Sequence, residues 1–182
     1  MSTYLHQSIR IGTLVCLIIL ILSETVAQSK VSDEYRIKAA FLYNLARMTH
    51  WPNEVHQSSN TFNICFMGQN HFSNALDFIR NKEVRGRKLA FQDNITLNEV
   101  EQCHLLFISD SERERWPRIL SALEKLPILT VGDISSFAEQ GGIVNLLKEK
   151  DKIQVEINLR AAKRSGLKIS SRLLTLAKII AQ

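Results

Sequence analysis

The stretch CHLLFISDSERERWPRILSALEKLPILTVGD, residues 103–133, decides the fold class. It begins with the apolar run HLLFIS, which is typical of a strand that is buried on both faces. Ser111 and Glu114 form a capping-box pattern, so we predict a helix that continues through Leu126. The run ILTVGD predicts a second buried strand. A strand, a helix and a strand in succession indicate a mainly parallel sheet that is covered by helices.

The same alternation occurs upstream of this unit. Apolar positions between Asp33 and Met48 follow the helical period on two neighbouring faces. We therefore predict a helix that is either wedged between two layers or presents one face to a partner. Pro52 ends this helix at Trp51. The run TFNICFMG, residues 61–68, predicts a buried strand, HFSNALDFIRN predicts a helix and RKLAFQDN predicts a short strand.

The downstream half adds a hairpin. Ser136 and Glu139 predict a short capped helix that ends at Gly141 and Gly142. The segment GIVNLLKEKDKIQVEIN, residues 142–158, has two strand-like runs around the polar turn KEKD. Two helical runs close the chain, over residues 159–165 and 171–181. We predict a single-domain α/β sandwich with a mainly parallel sheet flanked by helices, plus an edge hairpin near the C-terminus.

The N-terminal segment has the pattern of a secretory signal peptide. Arg10 precedes the apolar run at residues 11–22, and the tripeptide TVA at residues 25–27 ends in a small residue. We predict cleavage after Ala27, export to the periplasm and a mature domain over residues 28–182. A retained membrane anchor is the alternative, although an apolar run of about a dozen residues is short for a span of about 20.

Cleavage would remove Cys16 and leave Cys65 and Cys103 in a compartment that permits disulfides. One bridge between them is the simplest interpretation, and loop closure would then contribute roughly 3–4 kcal/mol to stability. A metal site that joins these cysteines to His71 and His104 is the alternative. Because no Cys-x-x-Cys or His-x-x-x-His pair is present to seed such a site, we expect no metal.

Charge and motifs argue against several classes of function. The chain has a net charge of +5, and it lacks the clustered basic and aromatic motif of a nucleic-acid-binding protein. No Gly-x-Ser-x-Gly elbow, recognisable catalytic triad or Gly-x-Gly-x-x-Gly loop occurs. We therefore predict a protein that is not an enzyme, has no catalytic residues or cofactor, and binds no nucleic acid.

Two basic clusters are candidate sites for a carboxylate or a phosphate, since Arg presents a planar fork to such groups. Solvated loops and helix faces are the alternative. The second cluster adjoins the start of the last predicted helix, where backbone N–H groups also attract anions. The first cluster contains Arg80, Lys82, Arg85, Arg87 and Lys88, and the second contains Arg160, Lys163, Arg164, Lys168 and Arg172.

Six stretches, taken in order, carry a resemblance to a known family. They are IKAAFLYNLARMTHWP, FNICFMG, VRGRKLAF, CHLLFIS, ILTVGDISSFAEQGGIVNLL and KIQVEINLRAAKRSGLKISSRLLTLA. The ordered set resembles the YfiR/HmsC-like family of periplasmic proteins and extends from about Val31 to Ala181. The resemblance implies a small α/β protein that binds the periplasmic sensor region of an inner-membrane diguanylate cyclase and represses cyclic di-GMP synthesis. Release of the cyclase would favour biofilm formation.

The resemblance also assigns residues. It implies that Cys65 and Cys103 are the family's bridging pair. The share of stability that one such bridge contributes predicts, separately from the resemblance, that the protein's stability is sensitive to redox state. Some members hold a second cysteine pair beyond the Gly-Gly stretch, where this chain has GGIVNLLKEKDK without cysteine. The C-terminal stretch implies a docking region for a small anionic or aromatic ligand. We assign to that region Glu156, Asn158, Arg164 and Arg172.

Two functions therefore stay open. The first is a regulator that contacts its partner through apolar residues of the first and last helices. The candidate contacts, which also suit a core, are Tyr35, Leu42, Trp51, Leu173 and Leu176. The second is a periplasmic protein that binds or senses a small anionic or aromatic molecule. The sequence leaves a homodimer open.

Overall fold

A computed structural model describes residues 33–52, 60–150 and 152–181. The predicted signal peptide, residues 1–27, lies outside the described residues. The helices are α1, described over residues 33–48, α2 (Trp116–Leu123), α3 (Leu159–Arg164) and α4 (Ser171–Leu174). Short 3₁₀ helices lie at Ser73–Leu76, Val100–Gln102 and Asp110–Arg115. The strands are β1 (Thr49–His50), β2 (Thr61–Met67), β3 (Glu83–Val84), β4 (Arg87–Gln92), β5 (Leu105–Ile108), β6 (Leu129–Gly132), β7 (Val144–Glu149), β8 (Lys152–Asn158), β9 (Lys168–Ile169) and β10 (Lys178–Ala181).

An eight-stranded sheet forms the centre, in the order β10-β8-β7-β6-β5-β2-β4-β3. The pairings from β4 through β2, β5 and β6 to β7 are parallel, and β7 and β8 form the antiparallel hairpin. The prediction of a mainly parallel α/β sheet with a hairpin towards its C-terminal edge is confirmed. Strand β10 adds to β8 in parallel, and β1 pairs with β9 in a separate antiparallel ribbon.

Alternation along β2 divides the interior into two cores. Phe62, Ile64 and Phe66 belong to the larger core, which also contains residues of α1, α3 and α4. Cys65 and Met67 belong to the smaller core, on the opposite face with α2. The sheet is therefore covered on both faces, as a parallel sheet requires.

Helix α1 is confirmed; one of its two apolar faces is buried, and the other is buried only in part, at Leu45. Ala39, Leu42 and Ala46 are fully buried, whereas Ile37 on the neighbouring face is 45% exposed. The predicted helix over HFSNALDFIRN is wrong, because only Ser73–Leu76 forms a 3₁₀ turn. Polar side chains compete with the helix there: the Oδ1 of Asn70 accepts from the N–H of Phe72.

Two predicted caps are also wrong. Ser109, rather than Ser111, caps the 3₁₀ turn at Asp110–Arg115, because its side chain accepts from the N–H of Ser111. Helix α2 follows only where Pro117 stands in its first turn. The predicted helix at residues 136–142 is a run of turns, in which Ser136 has a φ of 60°.

The last predicted helix, residues 171–181, is one helical turn followed by a strand. Ser170 caps α4 by accepting from the N–H of Leu173. The chain then pairs with the free edge of β8, where Ile179 lies opposite Ile157. Two β-branched isoleucines at residues 179–180 suit this pairing, which overrides the helical period.

Candidate functional site

Cys65 and Cys103 form a disulfide, as predicted. Their Cα atoms are 5.9 Å apart, within the range for a bridge, and both residues are fully buried in the smaller core. The bridge joins β2 to the residues that lead into its parallel neighbour β5. A reductant in solution therefore reaches the sulfur atoms only after the protein opens locally.

The histidines considered for a metal site lie elsewhere. His71 packs against the ring of Tyr35, with 5.2 Å between ring centres, and His104 stacks on Phe62 in the larger core. Across residues 33–52, 60–150 and 152–181, no group of three or more His, Cys, Asp or Glu residues is arranged to hold a metal ion.

A cluster of paired charges lies beside the first turns of α1, at the carboxyl end of β6; Lys38 and Asp133 are buried in it, and Lys148 is exposed at its edge. The Nζ of Lys38 is 2.7 Å from the Oδ2 of Asp133 and 2.7 Å from the Oε1 of Glu34. Lys148 completes the cluster from β7, 2.8 Å from the other oxygen of Glu34. The hydroxyl of Tyr35 donates to Asp133 at 3.1 Å. We call Glu34, Tyr35, Lys38, Asp133 and Lys148 the paired cluster.

Electrostatic interactions in the paired cluster favour the ionised form of Glu34 and the protonated form of Tyr35. Burial acts to raise the pKa of Glu34, but the ion pairs with Lys148 and Lys38 outweigh it and hold the pKa below its ordinary value of 4.5. Burial, and then the carboxylate of Asp133, raise the pKa of Tyr35. The phenol therefore stays protonated and remains a donor. Sequence reasoning missed this cluster, whose only local signal is the i,i+4 spacing of Glu34 and Lys38.

A small cavity of about 340 Å³ lies at the carboxyl end of β2. The strand order reverses between β2 and β5, and such switch points are common ligand sites in α/β sheets. The cavity is lined by Gly68, Asn94 and Thr96, and by Glu112 and Arg115, whose side chains are paired at 2.9 Å. Its two charged groups therefore already neutralise each other.

The four residues predicted to bind a ligand are not brought together on one face. The carboxylate of Glu156 is 3.0 Å from the Nζ of Lys178, on the face of β8 opposite Val155 and Ile157. Asn158 caps α3 by accepting from the N–H of Ala161. The other two predicted ligand-binding residues, Arg164 on α3 and Arg172 on α4, have exposed side chains. Both helices pack against the larger core.

The predicted partner contacts divide into buried and exposed residues. Leu42, Leu173 and Tyr35 are 0%, 3% and 8% exposed, so the structure places them in the core and not on an open surface. Trp51 is half-buried and meets Phe62 edge to face, with 5.3 Å between ring centres. Leu176, at 68% exposed, is the predicted contact that lies open to solvent.

The β1–β9 ribbon joins residues from both basic clusters. Lys168 lies directly opposite His50 in the ribbon. The Nη2 of Arg85 donates to the backbone oxygen of Thr49 at 2.9 Å. In the sequence analysis these clusters are separate, because the strands that bring them together, β1 and β9, are more than a hundred residues apart in the chain.

Comparison with known proteins identifies a family. The model of the YfiR/HmsC-like family matches residues 35–178. A comparison with curated proteins gives no match. No helix in the described ranges is long and apolar enough to cross a membrane.

Two solved structures are distantly similar. One is the ABC domain in complex with L-Trp from Streptococcus pneumonia, 12% identical with a TM-score of 0.48 over 69% of this chain. The other is a conserved domain protein from Vibrio cholerae, 13% identical with a TM-score of 0.49 over 71% of this chain. The match spans 57% of the length of each of these proteins.

Proposed function

Because the chain belongs to the YfiR/HmsC-like family, we propose that it binds the periplasmic region of an inner-membrane diguanylate cyclase and represses cyclic di-GMP synthesis. Family membership supports the general role, a periplasmic regulator of diguanylate cyclase activity and not an enzyme. The match over residues 35–178 is the observation that carries the proposal. The proposal includes export of the protein to the periplasm and cleavage of its signal peptide after Ala27.

The proposed contact surface includes Leu176. A regulator must present apolar surface to its partner, and Leu176 is a large apolar residue that this fold leaves 68% exposed. It lies between α4 and β10, where the chain leaves one helical turn and joins the sheet. This exposure leaves the side chain of Leu176 available to a partner.

Capture of the cyclase tests this surface. Detergent extracts of inner membrane are passed over immobilised protein, and bound proteins are identified by mass spectrometry. Recovery of a diguanylate cyclase supports the proposal, and Leu176→Asp should reduce that recovery at least tenfold. Phe78→Asp is the matched control, because Phe78 is also exposed, at 42%, and precedes β3. Absence of any membrane signalling protein contradicts the proposed function.

Redox sensitivity would act through stability. The Cys65–Cys103 bridge is buried between neighbouring strands, so its loss would shift the population away from the form that binds the cyclase. A second experiment measures capture of the cyclase by wild type and by Cys65→Ala/Cys103→Ala at the melting temperature of the variant, where half of the variant is unfolded. If the variant captures less cyclase than wild type, redox-sensitive repression is supported. Equal capture by the two proteins would contradict it.

A ligand-binding role is the alternative. It is favoured by Arg164 and Arg172, two exposed guanidinium groups that form no salt bridge with any described carboxylate. A rise in melting temperature with nucleotides or aromatic acids, lost in Arg164→Ala or Arg172→Ala, would support this role. No rise across such a panel would count against it.

A further inference from the structure

The outer face of the β1–β9 ribbon is polar and basic. Residues directly opposite each other in an antiparallel pair share a face. Thr49 is fully buried and Ile169 packs against the larger core, so this pair faces inward. The pair formed by His50 and Lys168 therefore faces outward, and both residues are exposed.

Three further cations gather around this ribbon. Arg85 reaches it through its hydrogen bond to the backbone of Thr49. The guanidinium of Arg47 and the ammonium of Lys82 lie 5.4 Å and 5.0 Å from the ring centre of Tyr43, in the last two turns of α1 before the ribbon. We call Arg47, Lys82, Arg85 and Lys168 the ribbon patch.

The four cations of the ribbon patch have no carboxylate partner in the part of the chain that the structure describes. None of the four forms a salt bridge with a carboxylate in the described ranges, whereas Lys38, Lys148 and Lys178 all do. Glu83 is the neighbour of Lys82 in sequence, but its carboxylate forms no such bridge with the patch. The chain after Glu156 contains six basic residues and no acidic residue. Basic side chains that lie around one ribbon without a described carboxylate partner favour an anionic partner.

The surroundings of the ribbon patch favour a lipid surface over a protein. Protein interfaces are built around buried apolar or aromatic anchors. The large apolar residues exposed in the described part of the chain are Ile37, Phe78 and Leu176, and none of them belongs to the ribbon patch. The aromatic rings beside the patch are half-buried: Trp51 packs on Phe62, and Arg47 and Lys82 cover Tyr43. Attraction to a charged bilayer requires only a cluster of basic side chains outside the membrane. We propose that the ribbon patch docks this protein on a bilayer surface that contains anionic phospholipids.

This inference goes beyond the proposed function and does not depend on it. A regulator of a membrane protein gains effective concentration when it is held on the same surface as its target. Lipid binding by the ribbon patch would supply that gain without contact with the cyclase. Each basic side chain near an anionic surface contributes roughly fivefold to partitioning.

Vesicle flotation of the protein, purified from the soluble extract of cells that make it, tests the inference. Vesicles contain equal parts of phosphatidylglycerol and phosphatidylethanolamine, or phosphatidylcholine alone. We expect binding to the first kind only, weakened by added salt. The variant Lys82→Gln/Lys168→Gln should lose about 25-fold in partitioning.

The control variant Arg118→Gln/Lys125→Gln has the same net charge but removes exposed cations of α2 and of the turn after it. It should lose less than about twofold, because its cations lie outside the ribbon patch. Equal losses in the two variants, or no binding to anionic vesicles at low salt, would overturn the proposal. Displacement by millimolar glycerol phosphate would indicate a site for a free phosphate instead. Binding of polyglutamate without binding of vesicles would assign the patch to an acidic protein.

Discussion

The two ends of α1 differ in how their charges are balanced. At the first end, Lys38 is 2% exposed and lies between Glu34 and Asp133. At the other end, Arg47 and Lys82 cover the ring of Tyr43 and have no carboxylate partner in the described ranges. Lys38 and Arg47 are separated by about 14 Å along the axis of α1.

The comparison separates structural charges from charges that are free to act. A buried cation must be paired, because an unpaired one loses its hydration without compensation. The ion pairs of the paired cluster therefore hold α1 against β6 and β7. Exposed cations need no such pairing, so those of the ribbon patch contribute little to stability and stay available for an anionic partner.

Removal of Lys38 should have the largest effect on stability. Lys38→Ala leaves Glu34 and Asp133 close together without their shared cation, and breaking a buried pair in this way costs about 3–5 kcal/mol. Urea denaturation followed by circular dichroism measures the loss. Lys168→Ala, at the other end, should change the free energy of unfolding by less than about 0.5 kcal/mol. Similar losses in the two variants would remove the distinction between the ends.

Loss of the disulfide should affect neither end selectively. Cys65→Ala/Cys103→Ala opens a loop whose ends are 38 residues apart, which lowers the free energy of unfolding by about 3–4 kcal/mol in the chain-entropy model. The bridge lies in the smaller core, on the face opposite α1, so vesicle binding by the folded variant should stay within about twofold of wild type. A larger change would show that the bridge positions the ribbon patch.

The sequence predicts the sheet better than it predicts the charges. The apolar runs within β2, β5 and β6 are easily recognised, because strands buried on both faces are rich in apolar residues at successive positions. The terminal run at residues 171–181 misleads, because its helical period cannot reveal that β8 offers a free edge. Neither charge region was predictable as a unit, since each unites residues far apart in the chain. Lys82, Arg85 and Lys168 are named from the sequence alone, but as members of two separate clusters. Lys38 and Asp133, for example, are 95 positions apart.

A pair of tyrosines on α1 makes the comparison between the ends more precise. Tyr35→Phe removes a part-buried hydrogen bond to the carboxylate of Asp133 and should cost about 1.5 kcal/mol. Tyr43→Phe removes an exposed contact of 3.5 Å to the backbone oxygen of Glu83 and should cost less than about 0.5 kcal/mol. Both changes delete one hydroxyl from the same helix, so thermal unfolding of the two variants compares the ends directly. Equal shifts would contradict the stronger pairing at the first end.

The smallest expected effect is a change in how the free energy of unfolding falls at acid pH. The folded-state pKa of Glu34 lies below the ordinary value of 4.5, so its contribution is complete above that pH and is lost as the pH falls through the folded-state pKa. Partial exposure to solvent keeps this contribution below about 1 kcal/mol. Glu34→Gln should therefore be less stable than wild type near neutral pH and should lose less stability on acidification. Urea midpoints measured from neutral to acid pH test this, with Glu83→Gln as the exposed control at the other end. If the pH profiles of wild type and Glu34→Gln were parallel, the carboxylate of Glu34 would contribute nothing to the pH dependence of stability. The pairing of Glu34 with Lys38 and Lys148 would then not stabilise the fold.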